Sequence, residues 1–496
     1  MRIEDYIRLR LSRGVGRIGP NEGRVLFDGV SATVASFLAL GFCQAVLPHG
    51  VLGRDVVVAA ALPPALVGLN FLFGIYSRFR TARARLKALL LFTAVAIVAD
   101  AGWFFAPNPA VVALWAMLVT GPIVLARLLL NLHTGRHRTL ARIAIHRRGP
   151  VLVIGGAGYI GSHTVDALLK QGHDVRVLDR LMFGDRTLAE FRDDPRFTLI
   201  PGDATDISKL TAAMRDCSAV VHLAGLVGDP ACAVNPEFTR HDNIIATRMA
   251  REVAEALGVH RFVFASSCSV YGVSEKQASE TDALNPVSLY AQTKIDSERE
   301  LLATVHDDFF VTILRFATVF GHSRRPRFDL VANLFTAQAM TGGLITVIGP
   351  NQSRPFIHVR DLARAIVATL QADPSVVQSQ IFNVGDERLV LTILQLAEQV
   401  QSVASRYRPV EISVTDNPLD RRNYAICCDK IRRILRFRAE TTIAAGVQEM
   451  ADRFLAGDYG DYRAPEYSNV AVTAEALAGF QDPAQMAHLY APLKVG

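Results

Sequence analysis

The sequence predicts a parallel, doubly wound α/β sheet with a small C-terminal lobe, preceded by a four-helix transmembrane region. Three observations carry this. From Pro150 onward, short apolar runs alternate with amphipathic stretches of helical period. Before residue 132, four apolar runs of membrane-spanning length follow one another. Around those runs, the basic residues collect in every second connection. A chain of 496 residues with mean hydropathy +0.23 has room for two or three domains, one of them in lipid.

The apolar runs are Val25–Leu47, Val51–Ile75, Ala88–Ala106 and Ala110–Leu130. Each is close to the roughly 20 residues that cross the hydrocarbon core as a helix. Pro48-His49-Gly50 and Pro107-Asn108-Pro109 separate the outer pairs. Arg78, Arg80, Arg83, Arg85 and Lys87 fill the middle connection, and arginines also crowd 1–24 and 132–149. Four spans put all three basic segments on one side, which places both termini and the catalytic part at the cytoplasmic face of the inner membrane. A buried helical domain would leave this charge alternation to accident. The expected organisation is a basic segment 1–24, four spans within 25–131, a basic linker 132–149, a catalytic domain 150–465 and a tail 466–496.

Residues 1–150 hold 18 Lys+Arg against 6 Asp+Glu, and the other 346 hold 35 against 41. The catalytic part is therefore acidic, which excludes nucleic acid as its partner. Six scattered Cys without a CxxC pair read as reduced thiols, with no metal site expected.

The first strand, "VLVIGG", runs into "GGAGYIGSH", where Gly155, Gly158 and Gly161 form GxxGxxG at a strand-to-helix turn. Glycines there allow the tight turn, the approach of a pyrophosphate to the backbone, and close helix packing. The second strand, "VRVLDR", ends in Asp179, 18 residues after Gly161. A carboxylate at that point accepts from ribose hydroxyls and repels a 2′-phosphate, which favours NAD. Arg180 beside it leaves NADP as the alternative.

Tyr290 and Lys294 stand four apart in "SLYAQTK", so on a helix they share one face. An ammonium beside a phenol lowers the phenol's pKa from ~10 and makes it a usable acid/base. About 20 residues earlier, "FASSCSVYG" ends another strand of the same sheet.

Together, GxxGxxG, "HLAG", "SSCSVYG", YxxxK and "RPFIHVRDLA", in this order over roughly 150–460, resemble the extended short-chain dehydrogenase/reductases of the nucleotide-sugar epimerase/dehydratase family. The resemblance implies a Rossmann fold with bound NAD. It implies that Ser267 orients the substrate, that Tyr290 is the acid/base, and that Lys294 holds the nicotinamide ribose. It places Tyr159, Ile160, Asp203, Ala204, Leu223, Ala224 and Gly225 against the cofactor with the three glycines and Asp179. On the substrate side it implies Asn243, Arg327, Asn333, Arg354 and Arg422, the arginines suited to a diphosphate by their planar forks. Relatives commonly dimerise through a helix pair. The run "GIYSRFRTARARLKALLL" is similar to the membrane region of bacterial polysaccharide-biosynthesis proteins that precedes a dehydratase domain.

The two resemblances disagree on the reaction. Dehydratase relatives carry an acidic pair after the Ser/Thr, and decarboxylating ones generally a Glu; here those positions are Cys268 and Ser269. Neither is a suitable general acid for expelling a hydroxyl. The expected activity is therefore a 4-epimerase of a diphosphate-linked sugar, on a nucleotide or a polyprenyl carrier, in cell-surface glycan synthesis beside glycosyltransferases. The alternatives are a ketosugar reductase or a dehydratase, then a membrane sterol or isoprenoid dehydrogenase, against which "RPFIHVRDLA" speaks.

Overall fold

The structure is a computed structural model that describes residues 149–304, 309–415 and 423–478. The chain divides into two units, Met1–Ala144 and Ile145–Gly496, and the described residues all belong to the second. The four apolar runs and Arg422 lie outside the described residues. Among those described, no helix is long and apolar enough to cross a membrane.

Seven strands form one parallel sheet: β1 (Val151–Ile154), β2 (Val175–Asp179), β3 (Phe197–Pro201), β4 (Ala219–His222), β5 (Arg261–Ser267), β6 (Phe310–Phe316) and β7 (Gln380–Val384). Their spatial order is β3-β2-β1-β4-β5-β6-β7, with Val151 paired to Val175 on one side and to Ala219 on the other. Strands β1, β4 and β6 are buried along their whole length. Val151 and Val153 enter one core, Leu152 and Ile154 the other. A strand covered on both faces must be apolar throughout, which is why these segments read as unbroken apolar runs.

Helices α1 (Gly161–Lys170) and α5 (Val359–Gln371) cover one face through Val165, Leu168, Leu362 and Ile366. Helices α2 (Ile207–Met214) and α3 (Ala246–Leu257) cover the other through Leu210, Ala213, Ala250 and Val253. Asp206 caps α2 by accepting from the Ser208 and Lys209 amides, and α3 stops at Gly258, whose φ of 70° is left-handed. The sequence predicts one helix over 240–257. The chain instead makes Pro236–Arg240, a π turn His241–Ile245, and then α3. The wider turn brings both Asp242 and Asn243 into the interior, as π turns often do at functional sites.

A smaller lobe packs Val331–Gly342, Ile393–Ala404 and Ile443–Leu455 around Phe320, Phe335, Phe356, Leu396 and Val447. Strand Ser353–His358 carries it, paired with Thr318–Phe320 and Val390–Thr392. Beyond it, helix Asn469–Ala478 falls in the stretch expected as a tail without motif, and packs on Asp229–Val234.

Candidate active site

Strand order reverses between β1 and β4, so a crevice opens at their carboxyl ends, where open α/β sheets bind ligands. One cavity fills it. Gly155, Gly158, Tyr159, Ile160, Gly161, Asp179, Ala204, Leu223, Ala224 and Gly225 line it, and so do Ser267, Tyr290 and Arg327. Thirteen residues expected from the sequence thus line one cavity. Gly155 has φ 86°, and a Cβ there would lie 2.7 Å from the Ala224 amide nitrogen. At Gly161 a Cβ would overlap the Gly155 carbonyl. The turn is thus closed to side chains by the protein itself, and its backbone is left bare for a pyrophosphate. These residues fit NAD.

Asp179 accepts from the Ala157 amide at 2.9 Å and the Leu181 amide at 2.8 Å. Burial raises its pKa, and those two amides oppose the rise. Its carboxylate holds the glycine turn against β2 while still lining the cavity. Arg180 ion-pairs with Asp203 at 2.8 Å and with Asp242, and its guanidinium lies 5.6 Å from the Phe238 ring centre. Asp203, expected against the cofactor, instead engages Arg180 and Thr205, while its neighbours Gly202 and Ala204 line the cavity. Three carboxylates surround one cation here, an unfavourable setting for a 2′-phosphate.

Ser267 ends β5 and accepts from the Ser269 amide at 3.1 Å. Tyr290 and Lys294 stand on α4 (Leu289–Ala303), capped by Ser288. The Ser267 hydroxyl and the Tyr290 phenol line the same cavity, and the serine side chain favours the phenolate. Lys294 is buried, donates to the Ala265 carbonyl at 2.9 Å, and lies 5.8 Å from the Tyr290 ring centre. Burial pushes Lys294 down to about 8, against the pull of Cys232 and Glu298. Burial also pushes the Tyr290 phenol well above its ordinary value, and Ser267 and Arg327 are the groups that draw it back. The YxxxK spacing alone credits this to Lys294, so the arginine from the substrate loop is an addition from the fold.

A buried network fixes these elements. Arg315 on β6 donates to Glu298 of α4 at 3.0 and 2.6 Å, and to the Tyr271 hydroxyl at 2.9 Å. Ser266 donates to the same Glu298. Cys268 is fully buried with its Sγ 3.2 Å from the Arg315 carbonyl, and burial pushes its thiol far up. It offers no general acid.

The substrate residues divide. Arg327 lines the cavity, forked onto Asp329 at 3.0 and 2.7 Å. Asn243 does not line it: it accepts from the Leu226 amide and donates to Thr293, tying the β4 loop to α4. Asn333 likewise clamps the backbone of Gly321 and Arg327 and donates to the Tyr159 hydroxyl. Both amides position the wall, having spent their polar atoms on the protein. Arg354 sits behind Tyr424, 5.6 Å from that ring's centre, with donors on Ser353 and Gln352; Tyr424 itself faces the cavity. Ser269 lines it as well, and so do residues the sequence did not single out, among them Thr318, Arg325, Asn469 and Thr473. Of metal-ligand types, Glu387, Cys427 and Asp429 gather among the described residues, outside this cavity, and both carboxylates pair with Arg432.

The NAD dependent epimerase/dehydratase family matches residues 151–385. The chain is 31% identical to the UDP-glucose 4-epimerase of Lactobacillus helveticus over 278 residues, 52% of this chain and 83% of that one. It is similar to MoeE5, solved in complex with UDP-glucuronic acid and NAD, at 28% identity and TM-score 0.54, over 62% of this chain and all of that one. It is also similar to DesIV, a dTDP-glucose 4,6-dehydratase from Streptomyces venezuelae solved with NAD and TYD, at 26% identity and TM-score 0.56, covering 62% and 97%. The chain belongs to the NAD-dependent epimerase/dehydratase family and is an NAD-using enzyme of the extended short-chain dehydrogenase/reductase type.

Proposed function

We propose that this enzyme inverts C4 of a diphosphate-linked sugar. The observation that carries the reading is that Ser267 and Tyr290 open on the same cavity as the glycine turn, with a buried thiol at 268 in place of an acid. Bound NAD supplies a hydride acceptor that can return what it takes. Tyr290 accepts the proton of the sugar 4-hydroxyl as C4 becomes a ketone, and returns it when C4 is reduced from the other face. Ser267 holds the 4-oxygen in line with the phenol. Lys294 keeps a positive charge beside the Tyr290 ring, and Arg327 lowers the cost of the phenolate. An acid able to expel a C6 hydroxyl is what a dehydratase needs, and Cys268 and Ser269 do not supply it.

The similarity to enzymes acting on UDP-sugars supports a nucleotide carrier. The four apolar runs with basic segments on one side support a catalytic unit at the cytoplasmic face of the inner membrane, beside glycosyltransferases of glycan synthesis, where a polyprenyl diphosphate is the other carrier. The test is incubation of the full chain in detergent, without added cofactor, with UDP-sugars and polyprenyl-diphosphate sugars. C4 interconversion to a fixed ratio is expected. Turnover that appears only with added NAD(P)H and a ketosugar would move the assignment to a reductase.

A further inference from the structure

Helix Asn469–Ala478 lies outside the 151–385 span matched by the family, yet it reaches the cavity. Asn469 and Thr473 are one turn apart, so both face the same way, and both line the wall. They are 5% and 1% exposed. Leu477, one turn further on, joins the apolar cluster of Leu226, Cys232 and Phe238 that packs Tyr290. The helix is therefore anchored beside the reacting residues.

Its polar atoms are arranged unequally. Asn469 is fully used: it accepts from an Arg325 terminal nitrogen at 2.7 Å and donates to the Val227 carbonyl at 3.1 Å. Arg325 is held by this bond and lies 3.7 Å from the Phe183 ring centre, but its Nε is buried without a partner. The Thr473 hydroxyl is buried without a partner too. Arg325 is only 4% exposed, and Asp329, the carboxylate acting on it, is forked onto Arg327. Burial pushes Arg325 down to about 9. A buried guanidinium without its own counterion, beside an unsatisfied hydroxyl in a cavity wall, is costly unless a ligand brings the missing acceptor.

We propose that helix Asn469–Ala478 completes the substrate site: Thr473 and Arg325, the latter positioned by Asn469, receive an anionic oxygen of the substrate. That oxygen comes from a carboxylate on the sugar or from the diphosphate. The proposal rests on the cavity being a sugar-diphosphate site, and not on inversion at C4.

The full chain in detergent, with its NAD content measured, is titrated with UDP, UDP-glucose and UDP-glucuronic acid. Thr473→Val, near in shape, weakens binding about threefold to tenfold, and Asn469→Asp, which gives Arg325 a carboxylate of its own, weakens it more than tenfold. NAD content stays unchanged and both variants still unfold cooperatively, which separates lost recognition from lost folding. A loss confined to UDP-glucuronic acid assigns the oxygen to the sugar carboxylate; a loss shared by all three assigns it to the diphosphate. Unchanged Kd values in both variants overturn the role of the helix while the sugar-site reading stands. No binding of any of the three, nor of a polyprenyl-diphosphate sugar, to the unsubstituted chain overturns both.

Discussion

The two walls of the cavity are made of different material. The cofactor wall is backbone: glycines 155, 158 and 161, strand ends, and the Leu223–Gly225 loop, nearly all within 75 residues. The substrate wall is side chain, assembled from Ser267 and Tyr290, Arg325 and Arg327, Tyr424, Asn469 and Thr473, which span more than 200 residues. A backbone wall is imposed by local sterics and tolerates little change. A side-chain wall is held by long-range contacts and can be re-aimed one residue at a time.

That contrast can be broken most severely at the backbone. A Cβ at Gly158 would meet only the Gly155 carbonyl, at 3.3 Å, although Gly158 lines the cavity. Gly158→Val is therefore expected to fold and to purify without NAD; cofactor released on denaturation, counted per chain, checks it. Behind the side-chain wall, Glu298 and Arg315 are each 3% exposed and paired. Glu298→Gln leaves a buried cation short of its partner and should cost about 3–5 kcal/mol, read from denaturant midpoints.

A smaller effect sharpens the cofactor end. Asp242→Asn removes one of the two carboxylates pairing with Arg180. It should raise NADP affinity relative to NAD by about fivefold, roughly 1 kcal/mol, in competition binding. A further effect is one of pH. Folded Lys294 releases its proton near pH 8 and an unfolded lysine near 10.5. Between those values the unfolded chain binds more protons, so the cofactor-free protein gains stability as pH rises. Lys294→Met should flatten that rise in stability measured from pH 8 to 10.5.

Legibility in the sequence follows the same division. The parallel, doubly wound sheet was readable because doubly buried strands must be apolar, and the glycine turn because nothing else fits at Gly155 and Gly161, whereas the strand order came from the fold. Ser267, Tyr290 and Lys294 were readable from short spacings on one strand and one helix. Asn243 and Asn333 look like ligand-binding amides in sequence, and only the fold shows their polar atoms already taken. Arg325 next to Arg324, and Asn469 in a stretch without a motif, carry no local signal at all. Their roles come from a contact across 144 residues. The π turn at His241–Ile245 escaped because a helical period persists on both sides of the extra residue.

The account turns on Tyr290 as the proton carrier between the two walls. The most direct test is Tyr290→Phe in the full chain, with C4 interconversion of the accepted sugar and bound NAD measured on the same sample. Turnover should fall by about a thousandfold or more while NAD stays bound. Turnover within a few-fold of the unsubstituted enzyme, with NAD retained, would contradict it.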